Sequence, residues 1–472
     1  MDLAIRNTRL LTMADGRPNP IPNGAVGIED GRIVFVGPDD EFEGSPDRII
    51  DGSDHVTIPG LVDAHVHTGM ALLRGGAQDV PEIEWMNKAL GPLGRQLTPE
   101  DSAAGTKLGV LEGLRAGTTT FGEYAGHVGR LVEEVYQPWG VRVAATETIN
   151  EVSDEREDLG PREPYPFDRE KGEKALSRAE KLFDGYGDDS LVTPMYGPQA
   201  LDMISPELLA TVFERADEQD ARVHVHVAQG RRERLQIQAR YGEDASTVSV
   251  LDEKGFLDER LLAVHCHDAS PAEHERLAEA GASYVGCPSS IAAIDGIVPP
   301  VEGFRRAGAP VGLGTDQAPG PGGHDMLREV RTAALLAKVD GADPTALPAW
   351  HALRLATLGG ARALGLDDEI GSIEDGKRAD LALIPVDGPG IAPAVDAPFA
   401  TVVPNLVYGS ASADTVLVDG EIVLEGGELI PDDEERVVSE AVERAERAFR
   451  DGADEWRAAG SELVDAADEG WL

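Results

Sequence analysis

Cysteine is nearly missing from this chain of 472 residues, which carries only Cys266 and Cys287. Two thiols are too few for a disulfide framework, and their spacing is not that of a zinc knuckle, so neither a stapled secreted scaffold nor a small zinc fold is expected. Basic residues are scarce as well: 42 Lys and Arg, mostly Arg, stand against 86 Asp and Glu, for a formal net charge of −44. Such a surface repels nucleic acid and anionic membranes, which argues against both as partners. The acidic excess is spread along the whole chain and forms no tail. That distribution suits solvation in a salty cytosol, where screening is strong, and predicts a halophilic source. Long hydrophobic runs are lacking too, none approaching the ~18 residues of a membrane span. The chain opens Met1-Asp2-Leu3 without a basic, apolar leader, so a soluble cytoplasmic protein is expected. Neither an internal repeat nor a low-complexity linker interrupts it.

What is present is a change of texture along the chain. Up to about Ile58, apolar and polar residues alternate, as in Arg32-Ile33-Val34-Phe35-Val36-Gly37, and Asp30-Gly31 supplies a hairpin turn. The same texture returns in Ala379–Ile384 and Thr415–Val423. Neither piece has enough strands to be stable alone, so a small β-sandwich domain built from residues 1–58 and 370–430 is expected. Between them, eight β-rich runs alternate with longer helical stretches: Leu61–His65, Thr118–Phe121, Val141–Ala145, Leu191–Tyr196, Arg222–Val227, Leu261–His265, Ala282–Val285 and Pro310–Gly314. That order predicts an α/β fold, a (β/α)8 barrel over residues 59–369, with its chemistry at the C-terminal ends of the strands. Residues 431–472 read as a helical tail, Val437–Phe449 having apolar residues at helical spacing.

Polar residues gather where the barrel runs stop. The first ends Asp63-Ala64-His65-Val66-His67, the fifth His224-Val225-His226-Val227-Ala228-Gln229, the sixth His265-Cys266-His267 and the eighth Gly314-Thr315-Asp316. Alternation along a strand puts His65 and His67 on one side, where both can grip one ion. Histidines and a carboxylate at four strand ends suit Zn2+, or Fe2+, which the sequence does not separate from it.

These runs, with Met70-Ala71-Leu72-Leu73-Arg74-Gly75, Trp85, Ala116–Phe121 and Gly371–Asp380, resemble the amidohydrolase superfamily. More narrowly they are similar to the branch holding triazine chlorohydrolases and methylthioadenosine/adenosylhomocysteine deaminases. The resemblance implies a metal-dependent hydrolase of a non-peptide carbon–nitrogen bond in a small cyclic or heteroaromatic molecule, acting through a metal-bound hydroxide. It implies His65, His67, His226 and Asp316 as ligands, Asp316 also as the proton carrier, and His265 as the group that holds the water and stabilises developing charge. It leaves His224 as packing or support. Two-metal relatives need an anionic bridge at the end of strand four, which here reads Thr193-Pro194-Met195-Tyr196-Gly197-Pro198-Gln199, so one divalent ion is expected. A homodimer is compatible with the branch.

The chain departs from its relatives in the substrate half of the site. Deaminases of the branch place Glu three residues after the strand-five ligand, where this chain has Gln229, an amide that cannot shuttle a proton. Gly94 replaces an acidic residue that grips ribose, Gln199 replaces a His and Cys287 replaces an Asn. These changes argue against an adenosine-type substrate and favour a non-nucleoside C–N bond over nucleobase-type deamination, with dechlorination behind both. A catalytically silent metabolite-binding barrel is the reading from another class, separated by turnover. Trp85 and Met70 are candidates to line the pocket or simply to pack. Arg74 is a candidate to pair a substrate carboxylate or to form a structural salt bridge. His267 either points into the mouth or serves its loop. Asp325 is expected to cap the helix that follows it.

Overall fold

The computed structural model describes residues 1–16, 20–153, 159–187 and 189–471. Eight parallel strands form the barrel: β1 (Leu61–Val66), β2 (Thr118–Ala125), β3 (Arg142–Ile149), β4 (Val192–Pro198), β5 (Val223–Val227), β6 (Leu261–His265), β7 (Ser283–Gly286) and β8 (Val311–Leu313). Each coincides with one of the eight predicted runs. Neighbours in sequence are neighbours in the sheet, and a parallel bridge between Val66 and Asp316 shuts it into a ring. The strands are buried on both faces, as expected of a parallel sheet wrapped by helices. At two places the backbones approach too closely for a side chain. A Cβ on Gly122 would stand 2.4 Å from the Ala64 carbonyl oxygen, and one on Gly314 would stand 2.6 Å from that of His65.

The chain ends meet in a second, mixed sheet of nine strands. Its order is Glu428–Leu429, Glu421–Glu425, Thr415–Val418, Leu381–Pro385, His55–Pro59, Leu3–Leu10, Ile21–Glu29 and Arg32–Pro38, with Arg48–Asp51 also paired to Leu3–Leu10. Asp30 and Gly31 both adopt left-handed backbone, as do Asp419 and Gly420, which is what a two-residue hairpin demands. Leu3, Ile5, Val26, Ile28, Leu381 and Leu417 share one apolar cluster on this sheet. It is tied to the barrel by a buried ion pair, Arg142 Nε to Asp380 Oδ2 at 2.7 Å and Arg142 Nη2 to Asp380 Oδ1 at 2.9 Å.

The tail forms helices Glu434–Ala459 and Glu462–Asp468. It lies over the segment that follows β1: Ala448 and Leu463 pack with Leu73, Ala77, Trp85 and Leu93, while Arg444 and Arg447 both pair with buried Asp101. Asp325 caps helix Met326–Asp340, accepting from the backbone N–H groups of Leu327 and Arg328.

Candidate metal centre and active site

Ring closure itself assembles the centre. The Asp316 N–H donates to the His65 carbonyl at 3.0 Å and the His67 N–H donates to the Asp316 carbonyl at 2.7 Å, so the ladder that shuts the barrel also sets the spacing of these side chains. His65 Nε2 and His67 Nε2 lie 3.6 and 3.5 Å from Asp316 Oδ1. His226, from β5, lies parallel to His67 at 5.7 Å between ring centres and edge-on to His65 at 4.9 Å. His265, at the end of β6, is 5.4 Å from the His226 ring. The strand ends leave the regular path through left-handed backbone at Ala228, His265, Cys266 and Asp316, none of them glycine. Such conformations cost about 1–3 kcal/mol each and gather where a fold aims side chains for a purpose other than stability.

The imidazoles of His65, His67 and His226 are each aimed by their second nitrogen. His67 Nδ1 donates to the Tyr124 carbonyl at 2.6 Å and His226 Nδ1 to the Gln199 carbonyl at 2.7 Å. A carbonyl only accepts, so both rings carry a proton on Nδ1 and turn Nε2 towards the centre. His65 Nδ1 meets His224 Nε2 at 2.9 Å, and His224 Nδ1 meets the Thr146 hydroxyl at 3.0 Å, a relay that turns His65 Nε2 the same way. That Nε2 is buried and has no hydrogen-bond partner among the described residues. Burial holds His65 and His226 well below the ordinary imidazole range and brings His224 and His265 down to about 3, so all are neutral at physiological pH.

Ligand atoms of His65, His226 and His265, and of His65, His67 and Asp316, fall within 4.8 Å of one another. Both groupings contain His65, so among the described residues they mark a single centre. Imidazole nitrogens, that of His65 buried with no hydrogen-bond partner among the described residues, beside a carboxylate oxygen, form a donor set that fits one divalent ion.

Three supporting groups escaped sequence reasoning. Ser290, in helix Pro288–Ile294, donates its hydroxyl to Asp316 Oδ2 and leaves Oδ1 facing the histidines. The run Gly286-Cys287-Pro288-Ser289-Ser290 held the signal, a proline opening a helix directly after β7. Tyr124 braces His226 at 4.8 Å between rings and donates its hydroxyl to the Gly197 carbonyl at 2.7 Å. Thr315, beside Asp316, donates its N–H and hydroxyl to Asp63 at 3.0 and 2.6 Å, while burial pushes the Asp63 carboxyl up to about 8. Removing the Ser290 hydroxyl should free Asp316 to rotate. Ser290→Ala is expected to lower metal affinity or activity by on the order of 10- to 100-fold, read by chelator competition and turnover. Values equal to those of the native protein would mean that Asp316 is held without it.

The remaining candidates are placed as follows. Gln229 follows β5, half-buried; its N–H donates to Glu233 Oε2 at 2.7 Å and its side-chain amide makes no hydrogen bond among the described residues. Gln199 accepts from Asn150 Nδ2 at 2.5 Å, so its side chain is engaged, and its link to the centre is the carbonyl that aims His226. Trp85 is buried under the tail with its Nε1 donating to the Ala77 carbonyl at 2.9 Å, and half-buried Met70 packs on the same cluster. Arg74 is exposed and bonded to Glu112. Cys287 is buried in a small apolar cluster with Val264 and Val285.

Comparison with known proteins follows this geometry. The profile described as Amidohydrolase family matches residues 56–423. A 5-methylthioadenosine/S-adenosylhomocysteine deaminase of Desulforudis audaxviator is 36% identical over 453 residues, 95% of this chain and 99% of that protein. The crystal structure of an adenosine deaminase from Xanthomonas campestris with bound zinc superposes with a TM-score of 0.86 at 32% identity, covering 95% of this chain and 99% of that one. An atrazine chlorohydrolase from Arthrobacter aurescens, crystallised with zinc, shares the fold with a TM-score of 0.83 at 23% identity, over 94% of this chain and all of that one (100%).

Proposed function

We propose, for a chain that belongs to the amidohydrolase family, that it hydrolyses a non-peptide carbon–nitrogen bond of a small cyclic or heteroaromatic molecule at the centre between β1, β5, β6 and β8. The observation that carries this reading is the buried Nε2 of His65, without a hydrogen-bond partner among the described residues, set among imidazoles and the Asp316 carboxylate. His65, His67, His226 and Asp316 would hold one divalent ion, with zinc the expected metal. Such an ion acidifies water to a pKa near ~7 and polarises the bond under attack.

The chain's own groups do the rest. Asp316 takes a proton from the attacking water and returns it to the departing nitrogen. Ser290 suits both states of that carboxyl, because its hydroxyl can donate to the ionised form and turn to accept from the protonated one. His265 is neutral, with Nδ1 buried and unengaged, and is placed to hydrogen-bond the water and the charge that develops on oxygen. Gln229 can orient a ring through its amide. It cannot deliver a proton.

Deamination of an adenosine-type substrate is the second reading, favoured by what the relatives are called. Against it the resemblance sets Gly94, Gln199, Gln229 and Cys287, which stand where it implies an acidic residue, a His, a Glu and an Asn. The deciding experiment is ammonia release across cyclic amides, pterins, purines and triazines, with the metal determined in the same preparation. Turnover on non-nucleoside rings with none on adenosine derivatives supports the first reading; ordinary rates on adenosine derivatives would overturn it. Metal and ligand binding without any product would assign the chain to a silent binding barrel.

Residues 59–369 are taken as the catalytic domain, and the enzyme as cytoplasmic, homodimeric and free of nucleic-acid or membrane partners. The charge of −44 is taken as an adaptation to concentrated salt. The thermal midpoint should then rise as KCl is raised from millimolar to molar. A flat or falling midpoint would contradict that origin.

A further inference from the structure

Three ionisable side chains at the barrel mouth take no part in the centre. Glu82 lies in the helical turn Glu82–Glu84 after β1, His267 stands two residues past His265, and Asp295 follows helix Pro288–Ile294. The His267 side chain is only 3% exposed, neither ring nitrogen has a hydrogen-bond partner, and Nε2 is 3.4 Å from Asp295 Oδ1. Its ring is 6.1 Å from that of His265, beside the proposed reaction centre. Glu82 packs against the residue that follows Gln229, since a Cβ on Gly230 would stand 3.2 Å from Glu82 Cδ.

Among the described residues, neither Glu82 nor Asp295 forms an ion pair with a Lys or Arg side chain. Arg232, the cation that Glu82 feels most, donates from its guanidinium to the Tyr165 hydroxyl at 2.9 Å. Burial and the nearby Asp295 push the Glu82 carboxyl up to about 7, with Arg232 and His267 opposing. Two carboxylates in a poorly solvated recess repel each other, and a cation placed between them relieves that repulsion more than it would in water.

We propose that Glu82, Asp295 and His267 form a recognition corner for a positively charged nitrogen, an amine or amidine group carried by the ring whose C–N bond is presented to the centre. The carboxylates supply charge, and His267 supplies one ring nitrogen as an acceptor. A neutral analogue brings no charge to either carboxylate, which is what makes the corner selective. This deepens the reading of the substrate as a small ring and rests on it.

The test is calorimetric binding to the metal-loaded protein, at one ionic strength, of para-aminomethylpyridine and para-hydroxymethylpyridine, which share a ring and arm and end in an ammonium and a neutral hydroxyl. The amine is expected to bind about tenfold more tightly or better. Glu82→Gln and Asp295→Asn should each shrink that preference while leaving metal content and the affinity for the alcohol unchanged. Asp454→Asn, an exposed carboxylate on the tail helix, should leave it intact. Equal affinities in the native protein, no binding of the amine, or a preference that survives both substitutions would overturn the proposal. So would a Glu82→Gln protein that keeps amine binding but loses turnover on neutral rings, since that outcome assigns Glu82 to proton transfer. Metal content and ammonia release judge the catalytic reading separately, so either idea can fail while the other stands.

Discussion

Gln229→Glu is expected to raise the deamination of purine and triazine amines by about 10²-fold in kcat/KM, the lower end of what a positioned acid contributes. Hydrolytic loss of ammonia from an aromatic ring requires a proton on the ring or on the leaving nitrogen as water attacks. The amide of Gln229 offers hydrogen bonds and no transferable proton. The local backbone should accept the change unmoved. The residue's N–H is held by Glu233, Ala228 and Gly230 on either side already adopt positive φ, and the side-chain amide has no bond to break. Glu82, packed on Gly230, would act on the new carboxyl as a like charge and lift its pKa towards neutrality, which is the direction an acid at that position needs. Rates on an amino-triazine and on adenosine, followed by ammonia release, check the effect. An unchanged or lower rate would mean that proton delivery already comes from elsewhere.

Removing a ligand has the largest effect of all. Asp316→Ala and His226→Ala are each expected to bring both metal content and activity to background. Asp316 is the hub: one oxygen faces His65 and His67, the other receives Ser290, and its main chain is bonded to that of His65 and His67. Truncating it would leave the centre with no anionic group and, on the proposed mechanism, remove the proton carrier in the same step. His226→Ala removes one of the two rings whose proton is fixed on Nδ1 by a carbonyl. Elemental analysis beside turnover separates the two losses. Full occupancy in both variants would falsify the ligand assignment.

Much of this centre was legible in the sequence, for a reason that particular residues make clear. His65 and His67 announce themselves because strand alternation puts both on one side, and His226, His265 and Asp316 because each stands where an apolar run ends. The supporting bonds were not legible. The carbonyls of Tyr124 and Gln199 aim two of the rings, and every residue has a carbonyl; only the register of β2 and β4 against their neighbours decides which one is used. Gln199 stood out for its side chain, yet that side chain is bonded to Asn150.

Trp85 and Arg74 illustrate the same limit from the other direction. Trp85 reads as a residue to line the pocket or to pack, and Arg74 as one to pair a substrate carboxylate or to form a structural salt bridge. Their partners come from remote sequence: Trp85 packs with Ala448 and Leu463 of the tail, and Arg74 is bonded to Glu112. Local pattern carries no information about such pairings. It did carry the Asp30-Gly31 turn of the small domain, because that turn needs only the backbone freedom of its own residues.

The most direct measurement is anomalous diffraction at the zinc edge from crystals of the metal-loaded protein. The account predicts one strong peak, about 2.0–2.2 Å from Nε2 of His65, His67 and His226 and from Oδ1 of Asp316. A peak held by other residues, a second peak of equal strength beside it, or no peak in active protein would contradict it.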